Sequence, residues 1–374
     1  MSAIARTDTS IFGKWWWTVD RWTLGALFLL VLIGALLILA ASPAVAERIG
    51  LNAYHFVQRQ FMIMPVALAV MVGVSLLSPL QIRRLSVLGF AATVVMLLLV
   101  PLVGNEIKGA TRWISLGCSE KPPSEFTKPF FAVVTAWMFA EWRRDEAFPG
   151  HLVAIGLYLM TAALLLSQPD LGMTVVVSAI WFGQFFLAGL PMILVVGFIA
   201  TGVSGLVGAY FLFPHVSSRI DRFLDPAAGD SYQVDRSLEA FMNGGLIGTG
   251  PGEGTVKLYL PDAHADFIFS VAGEEFGGIA CLVIIALYAF VVLRGYARLL
   301  GEQSLFVLLA GTGLLTQFAL QALIHMASAV HMMPAKGMTL PFISYGGSSL
   351  LALGLGMGMA LALTRKRFGG EDLP

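Results

Sequence analysis

Long apolar runs separated by short polar connections dominate this chain. A helix needs roughly 20 apolar residues to cross a hydrocarbon core ~30 Å thick, and windows of that length predict about ten membrane helices. They fall at 23–42, 60–78, 85–103, 129–142, 151–167, 171–187, 191–213, 266–293, 305–328 and 342–363. Two polar stretches interrupt the pattern, 104–128 and 214–265. The expectation is therefore an all-α polytopic integral membrane protein, a single domain over 1–374. It has an N-terminal tail at 1–22, a large loop at 214–265 between the seventh and eighth spans, and a C-terminal tail at 364–374.

Composition supports this class. Hydrophobic residues are 57%, charged ones 12%, and the mean hydropathy is +0.81, which excludes a soluble globule. The formal net charge of zero gives no sign of a nucleic-acid partner. Cys118 and Cys281 are in different settings, so neither a disulfide nor a metal site is expected from them. Lys14, the run Leu24–Ala41 and Ala44-Val-Ala46 imitate a signal peptide, but an 18-residue run is long for one and reads as a retained first span.

Charge sets the orientation. With ten spans, the side holding both tails carries Arg6, Lys14, Arg21, Arg83, Arg84, Arg143, Arg144, Arg294, Arg298, Arg365, Lys366 and Arg367. The short connections of the other side carry only Arg48, Arg59 and Lys336. Cations in short connections stay inside. Both termini are thus expected in the cytoplasm, with both long loops extracytoplasmic, and Trp15, Trp16, Trp17 and Trp22 suit an interfacial anchor.

The densest candidate chemistry is Leu260-Pro-Asp-Ala-His-Ala-Asp-Phe-Ile-Phe269, which puts Asp262, His264 and Asp266 at the mouth of the eighth span. An acid there is expensive to keep unless it is paired or works. In the first long loop Arg112, Glu125 and Lys128 stand out. Glu125 and Lys128 share a helix face at i, i+3, and two roles are open: an ion pair between them at a helix entrance, or diphosphate binding by Arg112 and Lys128 as cations. Gly248-Thr-Gly-Pro-Gly-Glu-Gly254 lacks the Lys-Ser/Thr of a phosphate loop and reads as turns. The glycines of that loop suggest a mobile, partner-responsive gate, and Leu238, Phe241 and Met242 suggest a short surface helix. Gln317, Gln321 and His325 share one helix face and read as glue between helices or as a cavity lining. Glu274 and Glu275 point apart on an ideal helix, so both cannot join Asp266. Gly354 and Gly358 signal close helix packing.

Over nearly its whole length the chain resembles the SEDS family of bacterial shape, elongation, division and sporulation proteins. The resemblance rests on Lys108-Gly-Ala-Thr-Arg-Trp-Ile-Ser-Leu-Gly117, Pro123-Ser-Glu125 with Lys128, Gln168-Pro-Asp-Leu-Gly172, and Tyr232-Gln233 with Gly244-Gly245. Its strongest parts are Leu260–Phe269 with Gly273-Glu-Glu275, and Lys336-Gly-Met-Thr-Leu-Pro-Phe-Ile-Ser-Tyr-Gly-Gly-Ser-Ser349. These look more like the division branch than the elongation branch. Pro122, Arg236, Asp262 and Ala265 depart from the usual family residues.

The resemblance implies a peptidoglycan glycosyltransferase of the bacterial inner membrane, polymerising lipid II at the division septum. Its implied partners are a class B penicillin-binding protein and other divisome membrane proteins. It implies an inverting reaction with Asp266 as general base. Arg112, Glu125, Lys128, His264, Lys336 and Ser344 become candidate substrate-binding residues, no metal ligands are expected, and a divalent cation could assist at the diphosphate. An elongation-type polymerase, a lipid II flippase and a divisome scaffold are the rival readings.

Overall fold

The computed structural model describes residues 10–103, 105–107, 110–116, 119–121, 123–145, 147–168, 170–224, 232–334 and 337–366. Each apolar stretch anticipated from the sequence is a helix. In chain order, after the short α1 (Ile11–Thr18), these are α2 (Arg21–Arg48), α3 (His55–Ser75), α4 (Pro79–Val103), α5 (Pro123–Arg144) and α6 (Gly150–Ser167). Then come α7 (Leu171–Leu187), α8 (Met192–Leu212), α9 (Pro214–Leu224), α10 (Tyr232–Gly244), α11 (Ile268–Leu299), α12 (Leu305–Ala329) and α13 (Gly347–Leu363). Among the described residues seven helices, α2, α3, α4, α6, α8, α11 and α12, are long and apolar enough to cross a membrane; α7 and α13 are shorter apolar helices. The first polar stretch holds a small antiparallel sheet with the order β1 (Asn105–Ile107), β2 (Ala110–Leu116), β3 (Ser119–Lys121).

Helix α5 runs through the centre of the bundle, with Phe131, Ala132, Val133 and Phe139 fully buried between α4, α7 and α12. The glycine pair of α13 does what small residues do in membrane bundles, letting backbones meet. A Cβ at Gly354 would lie 2.6 Å from the Ala67 carbonyl oxygen, and one at Gly358 2.7 Å from that of Met71, so α13 rests directly on α3.

The two ends of the bundle are chemically distinct. At one, buried Asp20 accepts from Arg294 Nε at 2.6 Å and Nη2 at 2.9 Å, with Arg298 at 3.1 Å. Arg365 donates to the Thr18 hydroxyl and to the carbonyls of Ser75 and Leu76 at that same end. Asp20, outside the spans, has its carboxyl pushed up by burial but carried on balance below the usual range by Arg294, Thr23 and Arg298. At the opposite end Arg48 donates to the Leu260 carbonyl at 3.5 Å, beside the turn that carries Asp266. The described tail segments thus share one face, and the Asp266 turn lies on the other.

Helix α11 is not continuous. Gly277 has φ 80° and ψ 176°, a conformation open essentially to glycine alone, and it breaks the hydrogen-bond ladder. The preceding loop repairs the gap. Gly278 and Ile279 donate to the carbonyls of Gly245 and Leu246 at 2.9 and 3.2 Å. Thr249 and Gly250 donate to the carbonyls of Glu274 and Glu275 at 2.9 and 3.0 Å. Backbone that leaves a helix in a membrane protein must find such partners.

Candidate functional site

Asp266 lies in a turn over 261–267, just ahead of α11, and not on the helix as the apolar run suggested. The turn closes on Asp262, which takes φ 49° and whose carbonyl accepts from the amides of Ala265 and Asp266, both at 2.9 Å. Three contacts hold it from outside. The Ser344 hydroxyl donates to the Ala265 carbonyl at 2.7 Å and accepts from the Leu340 amide at 2.7 Å. The Tyr345 amide donates to the His264 carbonyl at 2.9 Å. The His264 ring stacks on Phe56 at 4.3 Å and meets the tilted Tyr345 ring at 5.0 Å, with Phe56 and Tyr345 also in edge contact at 5.1 Å. Burial, reinforced by Arg48 and opposed by Asp262, lowers the His264 pKa to about 4, so the ring is neutral at neutral pH.

The segment after α12 completes the site. Asp266 is partly exposed, and its carboxylate lies against the Cα of Gly337. Two residues on, Thr339 joins a buried polar chain. The Lys128 ammonium, 1% exposed, sits 2.9 Å from Glu125 Oε2 and donates to Gln321 Oε1 at 3.0 Å. Gln321 Nε2 donates to the Thr339 carbonyl and hydroxyl, both at 3.1 Å, and the Thr339 and Ser349 hydroxyls are 2.6 Å apart. Glu125 in the first turn of α5 also suits the positive end of that helix.

The sequence expectations divide accordingly. Asp266, His264 and Ser344 are brought together, and Glu125 and Lys128 are linked to them through Thr339. His264 and Ser344 were expected to bind substrate; the His264 ring packs on Phe56 and Tyr345 with its buried Nδ1 lacking a hydrogen-bond partner, and the Ser344 hydroxyl bonds two backbone groups. The ion pair between Glu125 and Lys128 is formed. Arg112 is a residue of β2, at an irregularity between the pairs Glu106–Thr111 and Asn105–Trp113. Lys336, Lys108, Cys118 and Pro122 lie outside the described residues. Among the described residues no group of three or more His, Cys, Asp or Glu could hold a metal ion.

The loop before the site corrects one further expectation. Glu274 and Glu275, reasoned to point apart on a regular helix, both turn toward the 243–257 loop. Glu274 accepts from Asn243 Nδ2 and from the amides of Thr255, Val256 and Lys257 at 2.7–2.9 Å. Glu275 pairs with buried Lys257 and accepts from the Gly252 amide at 3.1 Å. Among the glycines of that loop, Gly244, Gly248 and Gly254 are points of close contact, a Cβ at Gly248 lying 2.3 Å from the Glu275 carbonyl oxygen, whereas Gly245 and Gly252 have open space beside them. The surface helix is present as α10, but Ser237, Ala240 and Gly244 are its buried residues, while Met242 faces outward. The residues that sequence reasoning passed over are Gly337, Thr339 and Phe56. The first two lie in a motif already noted, and nothing near Phe56 signals its stacking.

Residues 21–368 match the model of the FtsW/RodA/SpoVE cell cycle protein family. This chain belongs to that family. It is 46% identical over 368 residues, covering 98% of its own length and 94% of the relative's, to a probable peptidoglycan glycosyltransferase FtsW of Caulobacter vibrioides. It is 35% identical over 350 residues, 89% of its length and 83% of the relative's, to an Escherichia coli O6:H1 protein of the same name. Among solved structures it superposes with a TM-score of 0.75, at 27% identity, on a chain described under structural coordination of polymerization and crosslinking by a peptidoglycan synthase complex. That match covers 92% of this chain and 97% of the other. The rod shape determining protein RodA of Thermus thermophilus gives a TM-score of 0.67 at 26% identity, covering 93% and 97%. The fold is that of a multi-pass SEDS membrane protein.

Proposed function

We propose that the chain is a peptidoglycan glycosyltransferase that polymerises lipid II into glycan strands during septal wall synthesis, with Asp266 as the general base. The observation that carries this reading is the construction around Asp266. A partly exposed carboxylate is held in a rigid turn by Ser344, Tyr345 and the stacked His264, and backed by Gly337. A base works from a fixed position within hydrogen-bond reach of its proton, and such a turn supplies one.

Glycan extension needs a proton removed from the acceptor hydroxyl as a diphosphate-linked donor departs. The acceptor oxygen attacks the anomeric carbon, Asp266 takes its proton, and the lipid diphosphate leaves with inversion. Negative charge develops on the departing diphosphate, and preorganised cations stabilise it. Arg112 and Lys336 are assigned that role, with Lys128 contributing its field from within the buried chain. The relatives named glycosyltransferases, and the neighbour described in a peptidoglycan synthase complex, support both the activity and a class B penicillin-binding protein as partner. The orientation follows from the cations in short connections: termini in the cytoplasm, Asp266 outward.

The test is polymerisation of labelled lipid II by the purified chain with and without its cognate penicillin-binding protein. Asp266→Asn is expected to remain folded and partner-bound while making no polymer. A variant that polymerises at the wild-type rate would sink the assignment, and robust lipid II translocation without polymer would replace it with transport.

A further inference from the structure

Gly337, Met338 and Thr339 form no backbone–backbone hydrogen bond among the described residues. Side chains from α12 hold them instead. Gln321 holds Thr339 through its carbonyl and hydroxyl. One turn further along the same face, the fully buried His325 places Nδ1 2.7 Å from the Met338 carbonyl oxygen. A carbonyl can only accept, so Nδ1 must carry the proton and Nε2 the lone pair. Nε2 is itself buried without a hydrogen-bond partner in the structure, a setting that a second ring proton could not satisfy. The geometry therefore fixes a neutral, Nδ1-protonated imidazole whose one described hydrogen bond goes to Met338.

The residue before Met338 is Gly337, whose Cα backs the Asp266 carboxylate. The chain of contacts runs from His325 to the Met338 carbonyl, along the backbone to Gly337, and from there to Asp266. His325 has no described contact with Asp266 itself. We propose that His325 is a positioning residue for Asp266, fixing through Met338 the wall against which the carboxylate is held. This rests on the reading of Asp266 as the base. It goes beyond that reading by assigning function to a buried residue that the sequence placed only as glue between helices.

The test uses the two amide side chains as atomic substitutes. Asparagine at position 325 can put its amide nitrogen where Nδ1 lies, whereas glutamine reaches the place of Nε2. The full chain, with its penicillin-binding protein, is assayed for kcat and KM on labelled lipid II as wild type, His325→Asn, His325→Gln, His325→Leu and Asp266→Asn. His325→Gln and His325→Leu are expected to lose on the order of ten- to a hundredfold in kcat, the scale of a misplaced catalytic group. Their KM should stay within about twofold, since substrate binding is not touched. His325→Asn should recover most of the rate.

A merely structural role would lower the thermal midpoint of all three histidine variants and leave kcat of the folded fraction unchanged, which would overturn the proposal. Should His325→Leu fail to fold, the Asn and Gln variants still decide it: equal kcat in both overturns it. Wild-type polymerisation by Asp266→Asn would remove the base assignment itself. An inactive Asp266→Asn beside a fully active His325→Gln would remove only the role given to His325.

Discussion

Gly337 and Asp266 touch so closely that a Cβ built on the glycine would lie 2.7 Å from the aspartate Oδ2 and 3.3 Å from its Cγ. No real Cβ tolerates such a contact, so a side chain at 337 must displace the carboxylate or the backbone behind it. Gly337→Ala is predicted to cut polymerisation roughly ten- to a hundredfold, the effect of moving a reacting group by about 1 Å. Its thermal midpoint should change little, because Gly337 itself is exposed. Parallel rate and unfolding measurements check this, and an unimpaired rate would show that the close approach is not used.

Glu274 is predicted to be a stability residue for the outer loop. Its carboxylate collects three backbone amides and the Asn243 side chain from a stretch with little other means of satisfying them. Glu274→Gln turns one acceptor into a donor aimed at donors. A cost of about 2–4 kcal/mol follows from charged hydrogen bonds lost and buried amides left unpaired. Hydrogen exchange at Thr255, Val256 and Lys257 should rise together, and unchanged protection at all three would refute the account.

The buried Lys257–Glu275 pair invites a double-mutant cycle. Lys257→Met alone leaves a buried carboxylate without its counter-charge and is predicted to cost about 3–5 kcal/mol, whereas Lys257→Met with Glu275→Leu should recover most of the loss. Denaturant or thermal unfolding of the four proteins measures it. Additive losses would mean the two side chains do not act as a pair.

His264 gives a pH dependence with a definite sign. Its folded pKa is lowered from 6.5 to about 4, so between those values the unfolded chain binds the extra proton and the folded chain does not. Its contribution to stability is intact above the unfolded value and is lost as the pH falls from 6.5 toward 4. His264→Phe can keep the stacking on Phe56 and the tilted contact with Tyr345 without the titration. The variant's thermal midpoint should fall less than the wild type's across that window; parallel curves would rule out His264 as the source.

Much of this was legible in the sequence because hydrocarbon imposes simple rules. Apolar runs located every helix from α2 to α8 and from α11 to α13, and the Gly354–Gly358 spacing marked α13 for close packing without naming α3 as its partner. Asp266 stood out as an acid beside an apolar run. What the sequence did not disclose depends on chain segments meeting from a distance. Gly277 reads as one small residue in a helix until Gly245 and Leu246 arrive to accept from the amides of Gly278 and Ile279 beyond it. Glu274 and Glu275 were judged by the periodicity of an unbroken helix, which stops two residues later. Ser344 carries a hydroxyl that suits a ligand equally well, and only the positions of the Leu340 amide and the Ala265 carbonyl show its bonds within the protein, just as nothing in sequence brings Phe56 and Tyr345 to the His264 ring.

The repaired break at Gly277 has a consequence for what lengths this chain tolerates. Surface loops usually accept extra residues cheaply, since closure entropy grows slowly with length. From Gly245 to Lys257, however, successive residues are matched to positions between Glu274 and Ile279, so the count between those matches is fixed as rigidly as the register of a sheet. One residue inserted there would have to unmake several of those pairings at once. Insertions, tags and natural length differences are therefore expected to gather ahead of Tyr232, where α10 has yet to begin, and to be excluded from a stretch that looks, in sequence, like the most permissive part of the molecule.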